Sequence, residues 1–369
     1  MKKKLEQLRQ QCCQGNWPEN FPELVKEYLG IELDCYYGKR WLKHPVLVAP
    51  GQLTLRPEQI AEIKKAGYAG CVLKSLVGEN SLGSCSMGFQ RQKATYIKTV
   101  YEEQDQSGRY PIIHWDGRAD TRNLKEYLTF AAQARQLEGK NFFVAGSFLC
   151  HLPAPSEDFQ REEWQFTVQK LSQIGFSTLE VDFCPSLVKE HNLMEKKNIL
   201  RWYRQVPEII KSVEREIAVF PKLLNLNWGL DFQLEMAEAA WKGGADGLVV
   251  ANRIYDEKIQ CAYGGRKLRE RNLIQVKEIS RSFPGLSISG TGGVYCGRDV
   301  LDYLQAGASN IQLLSFLMGK VRSPWLRKCG NKLEKVLYQL YFDPGEGILP
   351  LLLQRGWKDL WQIKVDASC

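Results

Sequence analysis

Lys242-Gly243-Gly244-Ala245-Asp246-Gly247-Leu248-Val249-Val250-Ala251-Asn252 reads as a helix end, a glycine turn and a short apolar strand that finishes on a polar residue. The same wording returns at Lys65 to Lys74 (KAGYAGCVLK), Gln173 to Asp182 (QIGFSTLEVD) and Gln305 to Leu314 (QAGASNIQLL). Each strand is a nearly unbroken apolar run, as a parallel strand covered by helices requires. Working outward from these copies gives eight strands, at about 45–50, 70–75, 142–148, 178–183, 219–225, 248–252, 286–290 and 310–315. Eight strand–helix units close into a (β/α)8 TIM barrel of the α/β class. An open doubly wound sheet is the alternative, but no Gly-rich dinucleotide fingerprint follows the first strand.

Thr54 is expected to cap the helix that opens at Pro57, and Asp231 the helix that ends near Lys242. Two segments fall outside the repeat. Residues 76–122 form a long β2–α2 insertion with a strand-like piece, Tyr110 to Trp115, at the end of the barrel where active sites are built. Residues 1–30 read as an N-terminal helical extension over the bottom of the barrel, with Trp17, Phe21 and Leu24 turned to the barrel or to a partner. The barrel itself is assigned to residues 31–369.

Composition narrows the class. With 44% hydrophobic and 25% charged residues, the chain of 369 residues can bury a large core, and disorder is set aside. No apolar run approaches the roughly 20 residues that span a bilayer. Met1-Lys2-Lys3-Lys4 leads into Leu5-Glu6-Gln7-Leu8-Arg9-Gln10 rather than an apolar signal core, so a cytoplasmic protein is expected. Eleven scattered cysteines without a C-x-x-C pair suggest reduced thiols and no metal site. The net charge of +8 is spread out, with concentrations at Arg266 to Arg271 and from Lys320 to Lys332, and solvated helices explain it without nucleic acid.

Only residues at the C-terminal strand ends can converge in such a barrel. These are Ala49-Pro50-Gly51, Lys74-Ser75, Cys150-His151, Asp182 to Ser186, Lys222, Asn252-Arg253, Gly290 to Gly293 and Ser315. Lysines at strand ends suit an anionic or electron-rich ligand, although each could instead pair with a nearby carboxylate. The Gly292-Gly293 turn can bring backbone N–H groups to a phosphate, as the loops after strands seven and eight do in this fold, and a plain tight turn also uses such glycines. Pro185 throws Cys184 into a loop over the mouth, where a thiol can exchange a proton with a substrate carbon; a packing Cys is the simpler reading.

These residues resemble the dihydroorotate dehydrogenase family from about Gly30 to Leu360. The resemblance is carried by Pro45 to Gly51, Val72 to Ser75, Glu180 to Ser186, Pro221-Lys222-Leu223, Ala251-Asn252-Arg253, Gly264-Gly265-Arg266, Ser289 to Val294 and Ile311 to Ser315. It implies an FMN-dependent oxidoreductase acting on a C–C bond beside a carbonyl of a small molecule, working as a homodimer with a separate electron partner. It also implies FMN contacts from Ala49, Pro50, Gly51, Lys74, Ser75, Lys222 and Asn252, and a phosphate site of Gly264, Gly265, Gly292, Gly293 and Ser315. Cys184 and Lys74 would be catalytic. His114, Asp182, Ser186, Asn252 and Arg253 would meet the substrate.

Asn residues that hold orotate in the family fall here on His114, Asp182 and Ser186, and only Asn252 is kept. An ionised Asp accepts hydrogen bonds but cannot donate as an amide does, so orotate is expected to be a poor ligand. The stretch between Asp182 and Cys184 is one residue shorter than in the family, and Leu314 replaces a phosphate-side Gly. Two other readings remain: an enzyme similar to tRNA dihydrouridine synthase, and a non-catalytic barrel serving as an interaction protein.

Overall fold

The computed structural model describes residues 1–14, 17–92, 96–100, 112–116, 118–151, 158–183, 195–258, 260–319 and 330–366. Eight parallel strands form the barrel: β1 (Val46–Val48), β2 (Gly70–Val72), β3 (Phe143–Leu149), β4 (Thr178–Asp182), β5 (Ala218–Lys222), β6 (Gly247–Val250), β7 (Ser287–Thr291) and β8 (Asn310–Leu313). Neighbours pair in chain order. The ring closes where Ile311 of β8 meets Val46 of β1, and Gly70 of β2 meets Phe143 of β3. The strand apolar runs are buried on both faces, which is why they lack alternation.

Two apolar clusters result. The larger lies between the strands and the surrounding helices, and the smaller fills the lower barrel with Leu47, Val72, Ala145, Phe220 and Val249. The bottom is plugged by a hairpin, Cys35–Tyr37 with Arg40–Leu42, whose Tyr37 ring lies 4.3 Å from that of Phe220. Residues 1–30, expected at this end, form the helices Lys2–Cys13 and Phe21–Leu29, while the hairpin fills the barrel interior. Trp17, Phe21 and Leu24 are all buried, so they serve the fold and are covered. Trp17 packs tilted on Phe21, with ring centroids 4.5 Å apart, and lies against Tyr341 and Phe342. It sits so close to Gly67 (φ +95°) that a Cβ there would come within 2.0 Å of the indole.

Helix starts differ in detail from expectation. Arg56, not Thr54, is the cap residue before Pro57, and Gln59 Oε1 accepts its N–H at 3.1 Å. Thr54 instead pins the turn after β1, where its hydroxyl accepts from Gly51 N at 3.1 Å. Gly229 precedes the helix Leu230–Lys242, which places Asp231 in the first turn, a favourable end of the helix dipole.

The long insertion builds a second sheet over the mouth. Tyr96–Val100 and Ile112–Asp116 pair antiparallel, and Ile112–Asp116 also pairs with Cys261–Gly265, which in turn pairs with Ile254–Asp256. Thus the excursion after β2 and the one after β6 become one structure. Among the described residues, no helix is long and apolar enough to cross a membrane, and no group of three or more His, Cys, Asp or Glu could hold a metal.

Replacing Trp17 by Ala is expected to lower stability by about 3 to 5 kcal/mol, the usual loss for a buried Trp. Urea unfolding reads this. An unchanged midpoint would mean that the N-terminal helices contribute nothing to the barrel.

Candidate functional site

A cleft opens at the C-terminal ends of the strands, and it gathers residues from β1, β5, β6, β7 and β8 and from the sheet above them. Ten of the residues singled out in the sequence line it: Ala49, Pro50, Lys222, Asn252, Arg253, Gly264, Gly265, Gly292, Gly293 and Ser315. Among the described residues, its charged lining side chains are Lys222 and Arg253. The cleft is therefore built for negative charge.

Each wall is held by buried polar groups. Tyr203 accepts from Leu224 N at 2.7 Å and donates to Lys222 O at 2.9 Å, which fixes the turn that presents Lys222; burial pushes its hydroxyl pKa up. Asn225 donates to Asn252 O at 3.2 Å and to Asn272 Oδ1 at 2.8 Å, and Asn272 donates to Thr291 O at 2.7 Å. Tyr303 donates to Gly292 O at 2.7 Å. One buried network thus ties the ends of β5, β6 and β7 together.

Below the Gly292-Gly293 turn stands Asp299, 1% exposed. Its carboxylate accepts from Tyr295 N at 2.9 Å, Cys296 N at 3.1 Å, Arg266 at 2.7 Å and Arg269 Nε at 2.5 Å. Arg269 also pairs with Asp302. The guanidiniums beside the turn are neutralised by these carboxylates.

The glycines do different work. Gly292 (φ +102°) and Gly293 (φ +72°) lie where L side chains are strained, and a Cβ on them would meet Asn272 Nδ2 at 2.6 Å and Arg269 Cβ at 2.7 Å. They let the turn lie flat on its supporting helix. Gly264 differs: a Cβ there would stand 3.5 Å from both Ser315 Oγ and Arg253 Cγ, in ordinary contact with the two side chains that line the cleft. Gly264 therefore leaves backbone bare beside Ser315, and such a cradle suits a phosphate monoester.

The remaining sequence candidates lie elsewhere. Leu314 fills the space over Gly51, where a Cβ would come within 2.3 Å of Leu314 Cδ2, so Gly51 is shut off from the cleft. Ser75 is spent on a 2.8 Å hydrogen bond with Ser147. The Lys74 ammonium lies 5.8 Å from the centroid of Trp115, a ring that does line the cleft. His114 stands between Ile113 and Trp115 on the same strand, so alternation turns it to the other face. Burial, then Lys98, lowers its pKa. Asp182 accepts from Asn252 Nδ2 at 2.9 Å. Cys184 and Ser186 lie outside the described residues.

Sequence reasoning named Thr291 at a strand end but gave it no role, and it missed Trp115 and Gln312 as lining residues. Gln312 could have been found by strand parity, since it lies two residues before Leu314. Trp115 could not, because its place depends on the antiparallel sheet that joins two distant insertions. Its ring carries Arg253 at 4.6 Å, and Arg253 also donates to Trp115 O at 2.6 Å.

With the geometry in hand, comparison with known proteins is specific. The dihydroorotate dehydrogenase family pattern matches residues 246–337, the segment that carries β6, β7, β8 and most of the cradle. The chain is 22% identical over 305 residues to "Dihydroorotate dehydrogenase B (NAD(+)), catalytic subunit" of Pyrococcus horikoshii, covering 79% of this chain and 86% of that one. The protein of that name from Pyrococcus abyssi is 23% identical over 283 residues, with 73% and 83% covered. That from Thermotoga maritima is 29% identical over 151 residues, with 38% and 53% covered.

Gly264→Ala is expected to fold normally while weakening phosphate binding about tenfold, the loss of roughly one hydrogen bond. Gly292→Ala should instead cost about 1 to 3 kcal/mol of stability, from its strained φ. Calorimetric titration with inorganic phosphate and urea unfolding separate the two. Equal behaviour of both variants would show that the cradle assignment is wrong.

Proposed function

We propose that this chain, a divergent dihydroorotate-dehydrogenase-like barrel, is an FMN-dependent oxidoreductase that acts on a C–C bond beside a carbonyl of a small molecule other than orotate. The observation that carries this reading is the convergence of Gly264, Gly265, Gly292, Gly293 and Ser315 with Lys222 in one cleft at the strand ends. A phosphate cradle and a cation on the floor are what a flavin mononucleotide needs at its two ends. The bare backbone of Gly264 beside Ser315 Oγ supports the fit.

In this reading the cradle residues hold the phosphate, and Lys222 stands beside the pyrimidine edge of the flavin ring, where positive charge favours the reduced anion. Bound FMN supplies the hydride chemistry. Trp115 offers an aromatic face within the cleft, and Arg253, fixed on that face and on the Trp115 carbonyl, presents a fork to a carboxylate or carbonyl of the substrate. A contact from Gly51 to the flavin requires Leu314 to give way, one from Lys74 requires it to move off the Trp115 ring, and one from Ser75 requires its bond to Ser147 to break.

Cys184 is assigned the proton exchange at the substrate carbon next to the one that gives or takes hydride. An unperturbed thiol pKa of about 8.5 lets it hold or release that proton near neutrality. Electrons arrive through a further small molecule or protein. The relatives' name includes NAD(+), which makes a nicotinamide the first electron partner to try.

Titration with FMN, followed by absorption, tests the assignment directly: a shifted, saturable flavin spectrum is expected, and a chain that takes up no FMN ends the reading. Lys222→Ala should then lower the potential of the bound flavin. An unchanged potential removes Lys222 from its assigned place.

Once a substrate is found, Cys184→Ser should slow flavin reduction or reoxidation by about 10²-fold or more, with recovery as pH rises. Superimposable stopped-flow traces would make Cys184 a packing residue. Dihydroorotate should bleach the flavin poorly, because one amide at Asn252 replaces the family's set.

A further inference from the structure

Beneath the cleft floor, inside the barrel, lies a carboxyl with a polar account that does not close. Glu180, from the middle of β4, is 1% exposed. Its Oε1 accepts from Tyr37 Oη at 2.6 Å and from Gln312 Nε2. Its Oε2 is buried without a partner, and so is Oε1 of Gln312, the very side chain to which Glu180 is already joined. Gln312 Nε2 also donates to Ser289 Oγ at 3.0 Å, and Ser289 donates to Asn310 Oδ1 at 2.6 Å, so the rest of the cluster is satisfied.

Two orphaned atoms on two bonded side chains are both acceptors if Glu180 is ionised. A single proton on Glu180 resolves both at once. Turning the Gln312 amide over does not remove the need, because two acceptor oxygens would then meet at the short contact between these side chains.

We propose that Glu180 is held as the neutral acid and donates from Oε2 to Gln312 Oε1. It thereby acts as a positioning residue that fixes Gln312 on the cleft floor and adds no negative charge of its own near Lys222. The charged and titratable surroundings agree. Burial raises the carboxyl pKa; Lys222 on β5 opposes this, as do the hydrogen bonds from Tyr37 and Gln312, and Asp182 on its own strand adds to it. Gln312 and Ser289, from β8 and β7, carry no charge. Were Glu180 ionised, its charge would offset that of Lys222 at the floor. As the neutral acid it leaves the cleft cationic without exposing a second base to the ligand.

The linkage has a definite sign. The folded chain keeps a proton that the unfolded chain releases near the ordinary carboxyl value of 4.5, so the contribution of Glu180 to stability is lost as pH rises through its folded value. Glu180→Gln places an N–H where the proton is proposed and cannot ionise. Thermal unfolding of the two proteins should diverge between about pH 5 and about pH 8, with the Gln variant gaining by at least about 2 °C at the upper end. Parallel profiles overturn the proposal.

If Glu180→Gln fails to fold, infrared spectra of the chain carrying Glu163→Gln and Asp302→Asn, whose own carboxyls burial raises, decide it. A protonated-carboxyl carbonyl band at neutral pH is expected, and its absence overturns the proposal. Neither measurement uses flavin, so its outcome is separate from that of the proposed function.

Discussion

A closed barrel of eight strands admits only every second residue of each strand to its interior, and this parity governs the whole molecule. Starting from the bottom, Leu47, Val72, Ala145, Phe220 and Val249 fill the lower interior with apolar volume, closed by Tyr37 from the hairpin. Two residues further along the same strands the inward positions become Ala49, Lys74, Ser147, Lys222 and Ala251. On β4, β7 and β8 polar side chains begin one layer lower, where Glu180, Ser289 and Asn310 stand in register with Phe220 and Val249. The cleft lies above these layers, and apolar volume fills the rest.

Polar groups at that level need partners, and the fold supplies them from outside the barrel. Asn225, Asn272 and Tyr303 reach the ends of β5, β6 and β7 from the loops and helices behind them. Asp299 anchors the turn after β7 through two backbone N–H groups and two guanidiniums. A buried charge-assisted cluster of this kind is expensive to break, because removing one partner leaves the others unpaired in a dry site. The cradle is therefore rigid for reasons that lie outside it.

The fold was legible because β2, β4, β6 and β8 announce themselves locally, through a helix end, a glycine and an apolar run, and the other four strands fall between them as apolar runs. The cradle was legible for a related reason: Gly264, Gly265, Gly292, Gly293 and Ser315 all stand within a few residues of a strand end or its pairing strand. What failed to show was set by contacts between segments far apart in sequence. Gly292 and Gly264 look alike in print, but one makes room for Asn272 and the other for the cleft. His114 and Trp115 are adjacent, and only the register of Ile113 on Gly264 decides which of them faces inward. Leu314 could be marked as a departure, but its packing over Gly51 required the barrel to be closed. The hairpin that plugs the bottom was overlooked because its strands are three residues long, too short for periodicity to speak.

The account of Asn252 bears on selectivity. Its amide nitrogen donates to Asp182 at 2.9 Å and to Phe183 O at 3.0 Å, while its oxygen accepts from Arg253 N at 2.9 Å. An amide has two donors and two acceptor lone pairs, so both donors are committed inside the protein and one lone pair remains. An Asn at position 182 would offer its own donor to a ligand, whereas Asp182 draws the Asn252 amide to itself. A pyrimidine edge, which needs both donors and acceptors, loses its complement by this exchange. The cations are untouched by it: Lys222 and Arg253 still line the cleft. Under the proposed function, recognition has therefore passed from paired amides to fixed positive charge, and a substrate is selected by where its anionic or carbonyl oxygens lie rather than by the pattern of a ring edge.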